Sequence, residues 1–514
     1  MLVKTYTSSV FGITATTITI EVNLGIGVNF FMVGLPDNAV KESQQRIRAS
    51  FKNNDFKFPG KEITVNLAPA DIRKEGSVYD LPIAIGILAV SEQVQTTLLK
   101  EYILIGELSL DGSIQVTRGV LPIALQAKKE GYKGIIIPFE NCEEASVVVG
   151  IEVRGAHNLK EVISFLDGTG PLFLADFDEK KHFSASASLE DADFKDVKGQ
   201  MNIKRAFEIA ASGGHNIILI GPPGSGKSML AKRLSSILPP MTMEESLETT
   251  KIHSVAGKLK MKSGLITQRP FRKPHHTISD VALVGGGSFP QPGEISLAHN
   301  GVLFLDELPE YKRTVLEVMR QPLEDRYVTI SRAKFTVDYP TSFMLVAAMN
   351  PCPCGYFNHP EKECVCGPGV VQRYLNKISG PLLDRIDLHV EVSPVSFDEL
   401  SGEASSEDSQ TIRHRVVNAR KIQGTRYKES LSTHCNAQMS KSEFDLFCKT
   451  DLSGQKIIKL AMEKLGLSAR AYDRILKVAR TIADLEGNER IEVQHVAEAI
   501  QFRSLDRSNW TSAC

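Results

Sequence analysis

The stretch NIILIGPPGSGKSML, residues 216–230, decides the fold of the central part of the chain. Its apolar residues predict a buried strand, its glycines a tight loop, and the residues after them the start of a helix. Gly221 to Ser228 match the pattern G-x-x-x-x-G-K-[ST]. Backbone N–H groups of such a loop point inward and hold phosphate oxygens at the N-terminus of the helix. The stretch therefore predicts an α/β domain that binds a nucleotide, whereas an ordinary tight turn would not account for the strand before it.

The loop residues are predicted to share the binding of ATP and Mg²⁺. Lys227 would neutralise phosphate charge, and the Ser228 hydroxyl would bind Mg²⁺. The loop residues predicted to bind the nucleotide are Gly221, Pro222, Pro223, Gly224, Ser225, Gly226, Lys227 and Ser228.

A pair of acids at the end of a second buried strand completes this site. In GVLFLDELPE, residues 301–310, consecutive apolar residues lead to Asp306 and Glu307. Ligands of open α/β sheets bind at the carboxyl ends of the strands. Asp306 would complete the Mg²⁺ shell as a further cofactor-binding residue, and Glu307 would polarise the attacking water. Two adjacent acids alone usually indicate a solvated turn, but here they accompany a phosphate loop.

Longer stretches of the chain resemble a known family. GEISLAHNGVLFLDE, residues 293–307, is similar to a run shared by AAA+ motors of the magnesium-chelatase and MCM group. The longer segment RPFRKPHHTISDVALVGGGSFPQPGEISLAHNGVLFLDE, residues 269–307, resembles the magnesium-chelatase-like ComM/YifB family more closely. The resemblance runs over nearly the whole chain, from GLPDNAVKES to SARAYDRILKVARTIADLEG. It implies an ATP hydrolase that moves on DNA.

The resemblance also implies roles for three residues outside the loop and the acid pair. Asn350 ends the segment FMLVAAMN, where these motors place a polar sensor of the γ-phosphate or of the lytic water. Arg385, in SGPLLDRIDLH, takes the place of an arginine finger that reaches a neighbouring subunit. Arg470, in LSARAYDRIL, matches a second sensor at the start of a lid helix. Because a finger that acts on a neighbour requires a ring, the implied assembly is a homo-hexamer.

The N-terminal part of the chain alternates strand and helix patterns. TTITIEVNL and EITVNLAPA predict strands, and PDNAVKESQQRIRASF predicts a helix. The segment LAPADIRKEGSVYDLPIAIGILA resembles the Lon protease domain, whose chemistry needs a serine and a lysine. Ser77 falls near the serine position but not on it, and Leu121 stands where the lysine is expected. We therefore expect a protease fold without protease activity, used for assembly or for binding DNA or a partner.

These patterns predict a chain of α/β class. An AAA+ P-loop ATPase core with a C-terminal helical lid would follow a Lon-protease-like domain, of the kind related to domain 2 of ribosomal protein S5. The predicted parts are a Lon-like domain at 1–168, a linker at 169–190, the ATPase core at 191–398, a polar linker at 399–410 and the helical lid at 411–508.

Two basic regions of the ATPase core are the predicted DNA contacts. Residues 251–280 are the most basic stretch of the chain, and the resembling motors carry a pore-facing insertion at this point. Residues 323–340 predict a β-hairpin. Contacts to phosphates would give a grip independent of sequence on branched or single-stranded DNA. The alternative is a solvated basic loop, and His275 and His276 fit DNA contact and buried packing equally well. The DNA-binding residues predicted here are Lys258, Lys260, Lys262, Arg269, Arg272, Arg332 and Lys334.

Four of the eight cysteines are crowded into residues 352–366. Cys352, Cys354, Cys364 and Cys366 have the spacing C-x-C-x₉-C-x-C. Four thiolates suit a closed, structural Zn²⁺ site, with unliganded reduced cysteines and an iron–sulfur cluster as the alternatives. A zinc-bound loop here would hold Asn350 in register with the segment that carries Arg385.

The bulk composition limits the remaining choices. The net charge of −1 argues against binding nucleic acid through overall basicity, so any DNA contact must be local. No apolar stretch approaches the roughly 18 residues that cross a bilayer, and the N-terminus lacks a signal-peptide pattern, so we expect a cytoplasmic protein without membrane contact. The leading hypothesis, which the resemblance to the ComM/YifB family implies, is a branch-migration motor of recombination and natural transformation. A chelatase-type motor for Mg²⁺ insertion into a porphyrin and an ATP-dependent scaffold for protein partners are the alternatives.

Overall fold

The computed structural model divides the chain into two compact units. The first contains residues 1–186 together with 243–267, and the second contains residues 187–242 together with 268–514. The residues described are 2–95, 97–178, 192–259, 264–287, 290–332, 335–359, 361–394, 407–430 and 433–503.

The first unit is built on an eight-stranded sheet of order β10-β9-β8-β5-β1-β2-β4-β3, with a separate pair β6-β7. Alternation along β2 buries Ile18, Ile20 and Val22, which is why this polar-looking segment forms a strand with one face in the core. The strands are β1 Leu2–Phe11, β2 Thr14–Gly25, β3 Phe30–Val33, β4 Glu62–Ala68, β5 Tyr102–Leu104, β6 Glu107–Leu108, β7 Ile114–Gln115, β8 Gly134–Pro138, β9 Glu152–Ala156 and β10 Phe173–Leu174.

Five helices of the first unit pack against this sheet. The predicted strands at 16–24 and 62–70 and the predicted helix at 36–51 agree with β2, β4 and α1, whose N-terminus is capped by the Asp37 carboxylate. Every residue of α2 is buried, so it forms the centre of the unit. The helices are α1 Asn38–Asn53, α2 Asp80–Val90, α3 Val120–Lys129, α4 Cys142–Ser146 and α5 Leu159–Leu166.

A further helix of the first unit, Met243–Val255, comes from the middle of the ATPase sequence and is called the inserted helix. Leu247 packs against the apolar cluster that contains Leu121. The Ser254 hydroxyl donates a hydrogen bond to the buried Glu144 carboxylate, which also accepts from the backbone N–H of Leu121 at 2.9 Å. The sequence predicted one ATPase core over 191–398 and did not assign residues 243–267 to the first unit. The helix has no apolar stripe that would indicate its packing face, and polar contacts help to hold it.

The second unit is built on a five-stranded parallel sheet of order β12-β15-β18-β11-β19. Its central strands are apolar and buried on both faces, as expected for parallel strands covered by helices. The predicted hairpin at 323–340 agrees with the pair β16-β17. The strands are β11 Ile217–Ile220, β12 Phe271–Arg272, β13 Gly285–Gly286, β14 Gln291–Pro292, β15 Val302–Leu305, β16 Tyr327–Arg332, β17 Phe335–Pro340, β18 Met344–Met349 and β19 Leu388–Glu391.

Helices surround this sheet and form the whole C-terminal part of the described chain. The described residues after 407 contain helices and no strand, in agreement with the predicted helical lid. The helices are α6 Met201–Gly213, α7 Lys227–Ile237, α8 Asp280–Val284, α9 Glu294–Leu297, α10 Arg313–Val318, α11 Arg320–Asp325, α12 Pro368–Leu375, α13 Gly380–Leu383, α14 Ser409–Arg426, α15 Lys441–Phe447, α16 Leu452–Leu465, α17 Ala469–Leu485 and α18 Val493–Gln501. Short 3₁₀ helices occur at Phe139–Asn141, Phe194–Asp196, Leu308–Glu310 and Asn436–Gln438.

An ion pair ties the helical part to the sheet of the second unit. Arg474, on α17, donates to the Asp387 carboxylate at 2.8 Å. Asp387 is buried, but Arg474, His215 and the backbone N–H of Asn216 outweigh burial and hold its pKa below the ordinary value. None of the helices described is long and apolar enough to cross a membrane.

Candidate active site

Three neighbouring strands of the second unit deliver the predicted nucleotide site. β11 leads into the glycine-rich loop, β15 into Asp306 and β18 into Asn350. Because β18 pairs with both β11 and β15 in parallel, their carboxyl ends meet at one edge of the sheet. The strand order brings together residues that lie more than a hundred positions apart in the sequence.

The loop between β11 and α7 already directs its lysine toward the edge of the sheet. Lys227 Nζ donates to the carbonyl oxygens of Gly221 at 2.7 Å and Pro222 at 2.8 Å, and to Asn350 Oδ1 at 3.2 Å. Burial lowers the pKa of Lys227, although the nearby Asp306 carboxylate opposes this shift. The loop thus places the lysine in direct contact with Asn350.

The two residues predicted to hold Mg²⁺ are in contact as well. Ser228 Oγ donates to Asp306 Oδ2 at 2.6 Å. One hydroxyl and one carboxylate oxygen at this distance fit the oxygen ligands that Mg²⁺ prefers. Glu307 adopts φ = 53°, in the left-handed region that non-glycine residues seldom occupy. A sparsely populated backbone conformation at an acid beside a phosphate loop is typical of functional sites.

A cavity of about 400 Å³ lies over these residues. Its size suits a nucleotide, since ligand cavities of this kind measure about 300–1,000 Å³. The lining contains most of the loop, both acids and the asparagine predicted to be a sensor: Pro223, Gly224, Ser225, Gly226, Lys227, Ser228, Met229, Asp306, Glu307, Met349 and Asn350.

Two residues that the sequence did not assign to the site contact its acids. Lys273 Nζ forms an ion pair with Asp306 Oδ2 at 2.8 Å, and His276 Nδ1 lies 3.4 Å from Glu307 Oε2. Burial opposes ionisation of Asp306, but hydrogen bonds from Lys273 and Ser228 hold its pKa below the ordinary value. The signal in the sequence is the basic segment RKPHH directly after β12, the edge strand beside β15. The contact of His276 with Glu307 favours a place for this histidine beside the nucleotide site rather than at DNA.

The two arginines implied by the resemblance lie elsewhere in the described chain and do not line the cavity. Arg385 is 8% exposed, and its guanidinium pairs with the Glu324 carboxylate and donates to the Pro381 carbonyl at 2.7 Å. Arg470 is exposed in the first turn of α17, one turn before Arg474. A single chain thus places neither arginine at its own cavity, and the trans role of Arg385 stays a prediction.

The four clustered cysteines converge on one point. Their ligand atoms all lie within 4.8 Å of one another. The sulfur of Cys352 lies 3.3 Å from that of Cys354 and 3.6 Å from that of Cys364. Tetrahedral Zn²⁺ with Zn–S bonds of about 2.3 Å separates its sulfurs by about 3.8 Å. Burial raises the pKa of the Cys354 thiol, but hydrogen bonds from the Tyr356 backbone and from Cys352 outweigh it and lower that pKa to about 6. The arrangement fits a structural metal site.

The cysteine loop packs directly against the phosphate loop. A Cβ atom on Gly355 would lie 2.5 Å from Pro223 Cδ, and Gly355 adopts φ = 86°. No side chain fits this approach without displacing the phosphate loop. On the other side, Cys352, Val371 and Phe357 form a small apolar cluster with the start of α12. The cysteine loop therefore connects the phosphate loop to the elements that lead to Arg385.

Two of the seven residues predicted to bind DNA present exposed side chains. Lys258 is exposed in the first unit, three residues after the inserted helix. Arg332 is exposed at the end of β16, where its Nε donates to the Gly287 carbonyl at 3.3 Å. Lys260, Lys262 and Lys334 lie outside the described residues.

The other two are engaged within the second unit. Arg269 donates to the carbonyl oxygens of Pro239 and Asn300, both at 2.7 Å. Arg272 forms a two-pronged ion pair with Glu294, both contacts at 2.7 Å. Both arginines therefore hold loops around β12, where sequence alone cannot distinguish a structural arginine from one that binds DNA.

At the two positions compared with the Lon protease, Ser77 and Leu121, the structure does not show an activated serine. Ser77 hydrogen-bonds the Glu107 carboxylate, and Leu121 is fully buried in an apolar cluster. A carboxylate partner does not activate a serine in the way that a neutral lysine does. The expected lack of protease activity stays a prediction.

Three family models together match most of the chain. The model described as magnesium chelatase, subunit ChlI, matches residues 193–400, and that for the C-terminal part of the same subunit matches residues 406–503. A model described as subunit ChlI of Mg-chelatase matches residues 20–141. The expected AAA+ core with its helical C-terminal part is thereby confirmed, and membership of this ATPase family supports ATP hydrolysis.

Individual relatives extend the match to full length. The chain is 45% identical to competence protein ComM of Haemophilus influenzae over 505 residues, which are 98% of this chain and 97% of ComM. It is 43% identical to YifB of Escherichia coli over 504 residues, with the same coverage. It is also 29% identical to Lon protease 2 of Bacillus subtilis over 165 residues, 29% of this chain and 28% of that protease, which supports the Lon-like domain. The chain belongs to the ComM/YifB family of magnesium-chelatase-like AAA+ proteins.

Proposed function

We propose that this chain is an ATP-driven motor that assembles as a homo-hexamer and moves branched or single-stranded DNA during recombination, as in natural transformation. The observation that carries the proposal is the cavity lined by the phosphate loop, both acids and Asn350, in a chain that matches a competence protein over 98% of its length. Branch migration is the activity that joins these two facts, because it needs both ATP hydrolysis and a grip on DNA that is independent of sequence.

The site residues divide the work of hydrolysis. Bound Mg²⁺ supplies positive charge that stabilises the phosphate oxygens of the transition state. Ser228 and Asp306 would hold that ion, and Lys227 would exchange its carbonyl contacts for phosphate oxygens. Glu307 would orient and polarise the attacking water, and Asn350 would fix the water or the γ-phosphate. Arg385 of a neighbouring subunit would supply the remaining charge, with Arg470 as a further sensor.

The proposed DNA contact rests on the exposed cations of the described chain. Arg332 is the last residue of β16, in the hairpin β16-β17. The proposed hexamer would present six copies of this hairpin. Lys258 offers a second exposed charge, and Lys260, Lys262 and Lys334 extend both groups in the sequence. Arg269 and Arg272 carry less of the proposal, because each already has partners within the chain.

The experiment that tests the motor function is the ATPase rate with and without a four-way DNA junction, measured at rising salt concentration. We expect the junction to raise the rate several-fold at low salt and the effect to fade as salt rises, because phosphate contacts release counter-ions. Arg332→Ala should weaken DNA binding and lower the slope of log affinity against log salt by about 1 for each DNA phosphate that the arginine would neutralise. Arg313→Ala, at an exposed arginine of α10, is the matched control and should behave as the wild type.

The same measurement separates the alternatives. A rate that no DNA structure changes would contradict the motor and favour the ATP-dependent scaffold. Binding of a porphyrin with stimulation of turnover, in the absence of any DNA effect, would favour the chelatase-type motor, whose subunit gives the family models their description.

We further propose that the four clustered cysteines hold one structural Zn²⁺. The metal would fix the loop that presses Gly355 against Pro223 and so keep the phosphate loop in register with α12. The four thiolates would fill every coordination position of the ion, so the site would be closed and would take no part in hydrolysis.

Metal analysis of the reduced, purified protein tests the zinc site. We expect about one Zn²⁺ per chain, falling to near zero in Cys364→Ser, together with a lower melting temperature and slower ATP turnover. Cys142→Ser removes a buried thiol of the first unit and is the control for removal of a thiol, so its zinc content should stay unchanged. Wild-type protein without zinc would contradict the proposal, and iron with sulfide would replace it by the cluster alternative.

A further inference from the structure

The carboxylate of Asp306 already has a cation beside it. Its Oδ2 accepts from Lys273 Nζ at 2.8 Å and from Ser228 Oγ at 2.6 Å, while its Oδ1 accepts from the backbone N–H of Glu307 at 3.1 Å. Three donors thus bind the one carboxylate that the proposed function assigns to Mg²⁺. An ammonium group stands where the chemistry requires a divalent cation nearby.

The fold holds Lys273 at this place from both sides. Before it, β12 pairs in parallel with β15, so Lys273 follows the edge strand as Asp306 follows its neighbour. After it, the Pro274 carbonyl accepts from the Tyr311 hydroxyl at 2.7 Å. The lysine Nζ also lies 5.1 Å from the centre of the Phe304 ring, a favourable cation–π distance. The backbone of this segment therefore places Lys273 within reach of Asp306.

The ammonium and a divalent cation compete for this carboxylate. Two positive charges within a few ångströms repel each other, and a carboxylate shared between them loses part of its attraction to each. Lys273 is 42% exposed and can turn away into water at small cost, whereas the Asp306 backbone is fixed at the end of β15. Lys227 does not replace it, since its Nζ is bound to two backbone carbonyls and to Asn350.

We propose that Lys273 is an internal counter-ion of Asp306 that neutralises the carboxylate in the nucleotide-free site and yields it when Mg²⁺ and nucleotide bind. Lys273 is thus a positioning residue that sets how much Mg²⁺ the protein needs. The same segment carries His276, whose Nδ1 lies 3.4 Å from Glu307 Oε2. The inference rests on the ATP site of the proposed function but not on DNA.

The test measures Mg²⁺ dependence of nucleotide binding with the full chain. Fluorescent ADP is held at fixed concentration while Mg²⁺ is titrated, with no DNA present. We expect Lys273→Met to bind the nucleotide at an Mg²⁺ concentration about fivefold lower than the wild type, because the competing charge of a partly exposed pair is gone. Lys273→Arg keeps the charge and should retain the wild-type midpoint. Lys232→Met, at an exposed lysine of α7 that does not line the cavity, is the matched control and should also keep that midpoint.

Thermal unfolding distinguishes the counter-ion from a merely structural lysine. In EDTA, Lys273→Met should melt below the wild type, since Asp306 is left without a cation, and excess Mg²⁺ with ADP should close this gap. An Mg²⁺ midpoint that is unchanged or higher in Lys273→Met would overturn the inference. So would a melting deficit equal in EDTA and in Mg²⁺ with ADP. Failure of the ATP site itself would appear separately, as wild-type protein that binds no nucleotide at any Mg²⁺ concentration.

Discussion

Replacing Lys227 with alanine is expected to reduce ATP turnover by about 100-fold or more, the loss typical of removing one charged or hydrogen-bonding group from a transition-state site. The Lys227 ammonium is partly desolvated and lies beside Asn350 at the edge where the three strands end. Electrostatic stabilisation is stronger in such an environment than in water, so its removal affects the rate more than it affects the fold. Nucleotide binding should weaken at the same time.

Steady-state ATPase assays and melting curves test this expectation together. Alanine at position 227 removes two hydrogen bonds to backbone carbonyls, so a small drop in melting temperature is expected. Lys232→Ala, at an exposed lysine of α7, is the matched control and should retain turnover and stability. Residual turnover near the wild-type rate in Lys227→Ala would show that hydrolysis takes place elsewhere.

Replacing Arg385 with alanine is expected to reduce turnover by about 1,000-fold while nucleotide binding persists, as for an arginine finger supplied by a neighbour. In the single chain this guanidinium is 8% exposed and paired with Glu324. Reaching a neighbouring site would require that pair to open, so opening of the pair would accompany assembly of the proposed hexamer. Glu324→Ala removes only the resting partner and should preserve turnover, which makes it the matched control.

Mixing the two inactive variants tests the trans role of Arg385 directly. Chains with Lys227→Ala still offer Arg385, and chains with Arg385→Ala still offer an intact phosphate loop. In hexamers formed from an equal mixture, turnover should recover to about one quarter of the wild-type rate, because that share of interfaces combines both intact groups. No recovery, together with a lower melting temperature of Arg385→Ala, would instead assign Arg385 a structural role within its own chain.

The parts of the fold that follow from local pattern were predictable. The apolar run before Gly221, the alternation in β2 and the run before Asp306 each define a strand without further information. The pattern of Gly221–Ser228 also predicts the conformation of this loop, because its glycines allow a tight turn and its lysine is placed to bind phosphate. The fold class, the ATPase core and the helical C-terminal part are confirmed for this reason.

The parts that depend on contacts between distant polar residues were not predictable. Lys273 belongs to a basic stretch, and only the pairing of β12 with β15 places it on Asp306. Arg272 has the same composition around it but faces Glu294. The inserted helix buries Ser246, Thr249 and Ser254, so its sequence has no apolar stripe to reveal a docking face. Charge and polarity in a sequence show that a residue needs a partner but not which partner it finds.

The inserted helix has a practical consequence for dissecting the protein. A fragment that begins at residue 187 keeps residues 243–267 but lacks Glu144 and Leu121, against which that segment packs. In that fragment the inserted helix would lack the residues against which it packs. Poor solubility of the fragment would then be misread as a consequence of losing a partner-binding domain. A truncated protein that tests the second unit alone should also replace residues 243–267 with a short flexible linker, because the chain passes between the two units three times.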